Sequence, residues 1–183
     1  PSCLWKYGIN DRLEMRLITE IAETKDLVSG KSVIGLMPVT IGFKANLWKE
    51  KGIVPHTSFI GHLTTANVST KNLRTTFAAP SFRFLMAHNI TPAFSISYNL
   101  GAEWNGETAE ESYLYTFATG LSMTKRLGMY AELYGFAPRS SVAWHGFDGG
   151  FTYLINNNIM IDLSGGFGVT QNAPDNYVAF GFS

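Results

Sequence analysis

Ten charged residues lie in segments where apolar residues alternate with polar ones. Within each segment the charged side chain belongs to the polar set, so an extended backbone would place it on the polar side. Between residues 12 and 21, for example, charged residues alternate with Leu, Met and Ile, and successive side chains of a strand point to opposite faces. Mixed charges on one face can pair with one another, or they can line a polar path that selects solutes by size and charge. The ten residues, which we predict to line a lumen, are Arg12, Glu14, Arg16, Glu20, Lys44, Arg83, Glu103, Glu132, Asp148 and Asp162.

For four of these residues we favour a structural role. Glu14, Glu132, Asp148 and Asp162 are expected to belong to an ion-pair network that narrows the lumen, because small barrels leave little free space inside. The other six are the better candidates for contact with a passing solute.

Other arrangements of reactive side chains are too sparse for catalysis or metal binding. His56 and His62 share a strand parity but lack a third ligand, so no metal site is expected. Ser58 lies between them, but no orienting partner or nucleophile elbow supports hydrolysis. Gly30-Lys31-Ser32 lacks both the earlier glycine of a phosphate-binding loop and the helix that must follow it. We therefore expect no enzyme activity and no cofactor.

The elements that position the charged residues are strands. Alternation of apolar with small or polar residues runs through almost the whole chain, and no stretch of helical period is long enough for a helix. We count about eleven strands, many of them close to the roughly 9–11 residues that cross a bilayer at a tilt. The clearest patterns cover residues 12–21, 37–47, 92–104, 112–121, 159–168 and 177–182, and weaker ones cover 55–66 and 74–88.

The connections alternate between tight turns and longer polar loops. Short turns at one rim and longer loops at the other are typical of outer-membrane barrels. Turn-forming residues cluster at 8–11, 88–91, 124–126 and 156–158, and longer links cover 24–31, 67–72, 105–110, 138–141 and 170–176.

Composition excludes several other classes of protein. The 183 residues carry 14 Lys and Arg against 14 Asp and Glu, so net charge gives no argument for a nucleic-acid partner. The single cysteine, Cys3, excludes a disulfide framework, and no apolar run reaches the length of a transmembrane helix. Only 15% of the residues are charged, whereas the outward face of a soluble barrel is expected to be rich in Lys and Glu.

The predicted fold is all-β: an antiparallel up-and-down transmembrane β-barrel of about 12 strands when complete, with residues 1–183 forming one domain. Bacterial single-chain barrels have an even number of strands, so about eleven visible strands imply either a further strand outside these residues or one missed in the count. Aromatic residues near the predicted strand ends suit the interfacial girdles of such a barrel. These residues are Trp5, Tyr7, Trp48, Trp104, Tyr113, Trp144 and Tyr153.

Several motifs also resemble a known family. The stretch KYGINDRLEMRL at residues 6–17 resembles the hairpin RYGLTDRLELRL of the outer-membrane transporter family labelled phenol-degradation meta-pathway proteins. Similar motifs follow in order at residues 130–135, 148–153, 161–168 and 173–183, so the resemblance spans nearly the whole chain. The resemblance implies a Gram-negative outer-membrane barrel that passes small compounds, aromatic ones among them. It also implies further strands before this hairpin, since family members usually carry them.

Three functions stay open at this point. The first, which we favour, is a multi-pass channel or transporter of the Gram-negative outer membrane. Its partners would be membrane lipid and a small hydrophobic or aromatic solute. The second is a barrel plugged by its own side chains that serves as a subunit of a larger envelope assembly. The third is a soluble ligand-binding β-barrel.

Overall fold

Twelve strands and no α-helix occur in the part of the chain that the computed structural model describes, residues 1–25 and 32–182. A short 3-10 helix, Lys71–Leu73, is the one helical turn of these residues. The strands are β1 (Ser2–Asn10), β2 (Leu13–Lys25), β3 (Ser32–Leu36), β4 (Thr40–Trp48), β5 (His56–Thr64), β6 (Ala79–Asn89), β7 (Phe94–Trp104), β8 (Glu111–Ser122), β9 (Leu127–Pro138), β10 (Trp144–Asn156), β11 (Ile159–Gly168) and β12 (Asn176–Phe182).

The strands follow one another in the sheet almost in chain order. The order runs β1, β2, β4 and then consecutively to β12, with β3 paired to β2 outside this path. β2 pairs with both β3 and β4 because it is long. Its first half pairs with β4, and its last five residues pair with β3. The predicted all-β antiparallel fold of about 12 strands is confirmed. Closure into a ring and a further strand outside residues 1–183 stay predictions.

One predicted strand begins later in the structure, just after a strand that was not predicted. The alternation over residues 37–47 predicts a strand from residue 37, but β4 begins at residue 40, and the separate strand β3 ends at residue 36. Pro38 lies between them and has no N–H to donate to a strand ladder. Its neighbours Met37 and Val39 donate their N–H groups to the carbonyls of Glu20 and Val68 instead, at 2.9 and 3.0 Å. β3, at residues 32–36, lies outside every predicted strand and is the one that the count of about eleven omitted.

Two other strands begin later than predicted. β6 begins at residue 79 rather than 74, and β7 begins at residue 94 rather than 92. Before β7, the hydroxyl oxygen of Thr91 accepts hydrogen bonds from the backbone N–H groups of Ala93 and Phe94, at 3.2 and 2.9 Å. This side-chain turn places Pro92 before the strand rather than in it.

Side-chain oxygen atoms close the predicted tight turns. Asn10, Thr91, Thr124 and Asn156 each accept the backbone N–H of the residue two positions later. These residue types favour turns because a short polar side chain can replace a backbone acceptor. Of the predicted loop at 24–31, residues 24 and 25 belong to β2, and residues 26–31 lie outside the described residues.

The chain divides into two compact units. Unit 1 comprises residues 1–47, 58–83 and 102–111, and unit 2 comprises residues 48–57, 84–101 and 112–183. Within each unit, alternate strand positions form an apolar face and a polar face. Cross-strand partners on the apolar face include Met15 with Phe43 and Phe117 with Leu133, and partners on the polar face include Glu14 with Lys44 and Glu132 with Asp148. The single domain over residues 1–183 stays a prediction.

Large side chains on the apolar face are exposed. Met15, Phe117 and Phe151 expose 47%, 45% and 52% of their surface, respectively. A water-soluble domain of this length buries most of its large apolar side chains. Within the described residues, the buried apolar side chains are only Ile60, Ala79, Ala102 and Leu114. No helix of the described chain is long and apolar enough to cross a membrane.

Candidate functional site

The structure places nine of the ten predicted charged residues in strands and Arg12 in the turn between β1 and β2. Their division between the two units is uneven in charge. Unit 2 contains only acidic members of the set, namely Glu132, Asp148 and Asp162. The remaining seven, of both signs, belong to unit 1: Arg12, Glu14, Arg16, Glu20, Lys44, Arg83 and Glu103.

Basic side chains cross the polar face of unit 1 in a row. Lys6 on β1 lies opposite Arg16 on β2, and Arg16 lies opposite Gly42 on β4. The imidazole of His62 on β5 occupies the space over Gly42, where a Cβ atom would collide with His62 Cδ2. The guanidinium groups of Arg16 and Arg83 both lie within electrostatic range of His62. We call Lys6, Arg16, His62 and Arg83 the basic row.

Two carboxylates accompany the basic row. Glu14 Oε1 lies 3.5 Å from Arg16 Nε, and Arg83 Nη2 donates a hydrogen bond to Glu103 Oε2 at 3.2 Å. Lys44 lies opposite Glu14 in the β2–β4 register. Unit 1 therefore combines close ion pairs with basic groups that no carboxylate of the row compensates. Arg12 and Glu20 are exposed and form no ion pair with any described residue.

Two nitrogen atoms in the basic row have no hydrogen-bond partner among the described residues. Arg16 Nε and His62 Nε2 are inaccessible to solvent and have no hydrogen-bond partner among residues 1–25 and 32–182. Only 13% of the Arg16 side chain is exposed. A buried polar group without a partner carries a desolvation cost of about 1–3 kcal/mol. A ligand that forms a hydrogen bond with either nitrogen would offset that cost.

Acidic and phenolic side chains meet on the polar face of unit 2. Glu132 on β9 lies directly opposite Asp148 on β10. The hydroxyl of Tyr177 on β12 donates a 2.6 Å hydrogen bond to Asp148 Oδ2 across the intervening strand β11. Gly166 permits this reach, because it lies opposite both residues and a Cβ there would collide with each of them. Asp162 packs beside Gly181, its register partner on β12.

Aromatic rings occupy the same face of unit 2. Trp144 stacks on Phe136 with ring centroids 5.4 Å apart, and it meets Tyr134 edge to face at 6.0 Å. That Trp144 belongs to an interfacial girdle stays a prediction. Trp144 shares the strand parity of Asp148, so its ring lies on the polar face, where the rings of β9 give it stacking partners that the strand end alone does not reveal.

Ser58 and His62, which were considered for catalysis and metal binding, take part in other interactions. Ser58 is buried and donates its hydroxyl hydrogen to Asn46 Oδ1 at 2.8 Å. No group of three His, Cys, Asp or Glu side chains within the described residues is arranged to hold a metal ion. His62 belongs to the basic row instead.

Three residues of these clusters are missing from the predicted set. Lys6 and Tyr177 share the parity of the polar face, so counting long polar side chains at that parity would have found them. The position of the His62 imidazole beside the basic residues could not be predicted by such a count. It depends on how β5 lies against β4 and on the space left by Gly42.

The apolar face of unit 1 carries a groove of about 510 Å³. Three aromatic rings follow one another along it, with centroid distances of 5.9 Å from Phe43 to Phe59 and 6.3 Å from Phe59 to Phe82. Gly61 forms part of the wall, and a Cβ there would press on Phe43 and Phe59. This ridge of rings is exposed carbon surface rather than a packed core.

Comparison with known proteins identifies the family. No curated protein matches the chain. The family model described as "Putative MetA-pathway of phenol degradation" matches residues 4–183, and this range includes every motif on which the resemblance was based. With almost its whole length matched, the chain belongs to the family described as "Putative MetA-pathway of phenol degradation".

Proposed function

We propose that the protein is a Gram-negative outer-membrane β-barrel that conducts small solutes, hydrophobic and aromatic compounds among them. The observation that carries the proposal is the exposure of the apolar face. Only four apolar residues of the described chain are buried, while large side chains on most strands are exposed. Lipid is the solvent in which such a face is stable, and strands can cross it when every backbone group is paired.

The polar face supplies the path in this proposal. It combines Gly, Ser, Thr and Asn with the charged residues of both units, which suits a hydrated passage that selects by size and field. The family description concerns phenol degradation, and this supports an aromatic solute. Passive transport of this kind requires no catalytic residue and no cofactor.

Conductance across planar bilayers tests the proposal. The purified protein should require detergent for extraction, migrate differently on a gel before and after heating, and produce discrete conductance steps. Replacement of a polar-face charge, in Glu132→Gln or Arg16→Gln, should change the ion selectivity. Val142→Thr, in the loop before β10, should not. Recovery of folded protein from the aqueous fraction without detergent would contradict the membrane location and support a soluble ligand-binding barrel.

One observation favours a second candidate function. The rings of Tyr134, Phe136 and Trp144 pack on the polar face of unit 2, where they would narrow a lumen. A barrel plugged in this way would act as a structural subunit of an envelope assembly. Folded, heat-modifiable protein that stays silent in bilayers at every voltage and salt concentration would favour this function over transport.

A further inference from the structure

We propose that the basic row of unit 1 is a binding site for small organic carboxylates, with Arg16 and His62 as the residues that contact the carboxylate. This inference names a solute class for the proposed channel and rests on the proposed function for its place along a permeation path. Binding itself depends only on the folded polar face of unit 1, so it can be measured without conductance.

The first argument is geometric. Arg16 and His62 lie on either side of Gly42, whose missing side chain leaves room for the imidazole over β4. Arg16 Nε and His62 Nε2 both lack a hydrogen-bond partner among the described residues. The one ionic contact of Arg16 in this part of the chain, to Glu14 at 3.5 Å, is too long for a strong hydrogen bond. The planar guanidinium fork therefore keeps N–H groups for a second acceptor.

The second argument is charge. Among the described residues, Lys6, Arg16, Lys44 and Arg83 face the same region as two carboxylates, Glu14 and Glu103, which leaves two positive charges uncompensated before His62 is counted. An anion is the ligand that balances this excess. The same excess of positive charge disfavours the binding of a cation.

The third argument distinguishes a carboxylate from phosphate. A carboxylate presents two oxygens in one plane, which matches one guanidinium and one imidazole nitrogen. It carries a single negative charge. A phosphate dianion would bring a second charge close to Glu14 and Glu103, which already flank the row.

Calorimetric titration of the full chain in detergent with sodium benzoate tests the site. We expect saturable binding of benzoate, and no binding at this site of benzyl alcohol, which has the same ring without the charge. Arg16→Gln should weaken benzoate binding roughly tenfold or more, because a charge-assisted hydrogen bond is lost. Lys125→Gln, in the turn after β8, removes one positive charge elsewhere and should leave the affinity unchanged.

Further variants keep the test decisive if Arg16→Gln does not fold. Folding is checked for each variant by heat-modifiable migration. His62→Gln should also weaken benzoate binding, and Arg16→Lys should give an intermediate loss, because it keeps the charge but not the fork. Wild-type protein that shows no saturable benzoate binding, or folded Arg16→Gln and His62→Gln proteins that bind it as the wild type does, would overturn the inference. Stronger binding of inorganic phosphate than of benzoate would overturn the choice of carboxylate.

The two proposals fail separately. Arg16-dependent benzoate binding by a protein that is silent in bilayers would refute the channel and retain the site. Discrete conductance with no Arg16-dependent benzoate binding would refute the site and retain the channel.

Discussion

The Tyr177 hydroxyl donates a 2.6 Å hydrogen bond to Asp148 Oδ2 on the polar face of unit 2. Tyr177→Phe removes the donor and leaves the carboxylate without it, while Asp148 Oδ1 already lacks a partner among the described residues. We expect a loss of about 1 kcal/mol in the free energy of unfolding, below the roughly 1.5–3 kcal/mol typical of bonds to charged groups, because Tyr177 is 40% exposed. The measurement is the denaturant midpoint of the folded gel band in detergent. Tyr7→Phe is the matched control, since Tyr7 lies on the apolar face with 73% of its surface exposed.

Gly42 is the residue on which the basic row depends. Gly42→Ala adds a methyl group that collides with His62 Cδ2 and with the carbonyl of Gly61, and the backbone at Gly61 cannot rotate away. We expect destabilisation of about 1–3 kcal/mol, typical of overpacking, together with displacement of the His62 ring. The same denaturant midpoint and the imidazole proton resonances measure both effects.

Gly8→Ala supplies the control for this substitution. Gly8 also lies in a strand of unit 1, but nothing lies within 4 Å of its added Cβ. Its stability should change by less than about 0.5 kcal/mol, as for most exposed substitutions. Equal losses in the two variants would show that glycine itself, and not the space above Gly42, determines the effect.

At the scale of elements, the hairpin between β1 and β2 depends on one side chain. Asn10 Oδ1 accepts hydrogen bonds from the backbone N–H groups of Arg12 and Leu13, at 2.8 and 3.0 Å. Asn10→Ala removes both and should cost about 1 kcal/mol and slow folding into detergent micelles. Asn10→Asp should retain most of the stability because its carboxylate accepts the same bonds. Asn157→Ala, in the turn between β10 and β11, should change neither the rate nor the stability.

The elements themselves were predictable where alternation is uninterrupted. β8, β11 and β12 follow the predicted parity because a period of two has one structural meaning in a strand. The errors fall where a backbone rule competes with side-chain pattern. Pro38 keeps the first residues of the pattern at 37–47 out of β4, and Thr91 forms a turn that keeps Pro92, the first residue of the next pattern, out of β7. Hydrophobic parity does not report which backbone N–H groups lack a partner.

For the whole molecule, the solvent at the apolar face, lipid or water, determines how much a charged substitution there lowers the free energy of unfolding. Leu133 lies in the middle of β9 and is 39% exposed. In a membrane barrel, Leu133→Arg should destabilise the fold by about 2–4 kcal/mol in lipid vesicles, because the arginine would lie near the bilayer midplane. In a soluble protein the same exposed substitution would be nearly neutral.

Val142→Arg is the whole-molecule control. Val142 is 69% exposed and lies in the connection between β9 and β10, outside the strands. Urea titration of both variants in vesicles, followed by heat-modifiable migration, compares them directly. A Leu133→Arg protein as stable as the Val142→Arg protein would argue against a lipid-facing surface.

The sequence by itself determined most of the strands, the two faces and the family, because side-chain parity and local motifs are properties of neighbouring residues along the chain. It also assigned the ten charged residues to the polar face of their segments. Only the tertiary structure decided which of them meet. Tyr177 reaches Asp148 across Gly166 on the intervening strand, and Arg16 and His62 lie on the two sides of Gly42. Those encounters depend on cross-strand register and on empty space above Gly42 and Gly166, and neither quantity is encoded in the alternation of a single strand.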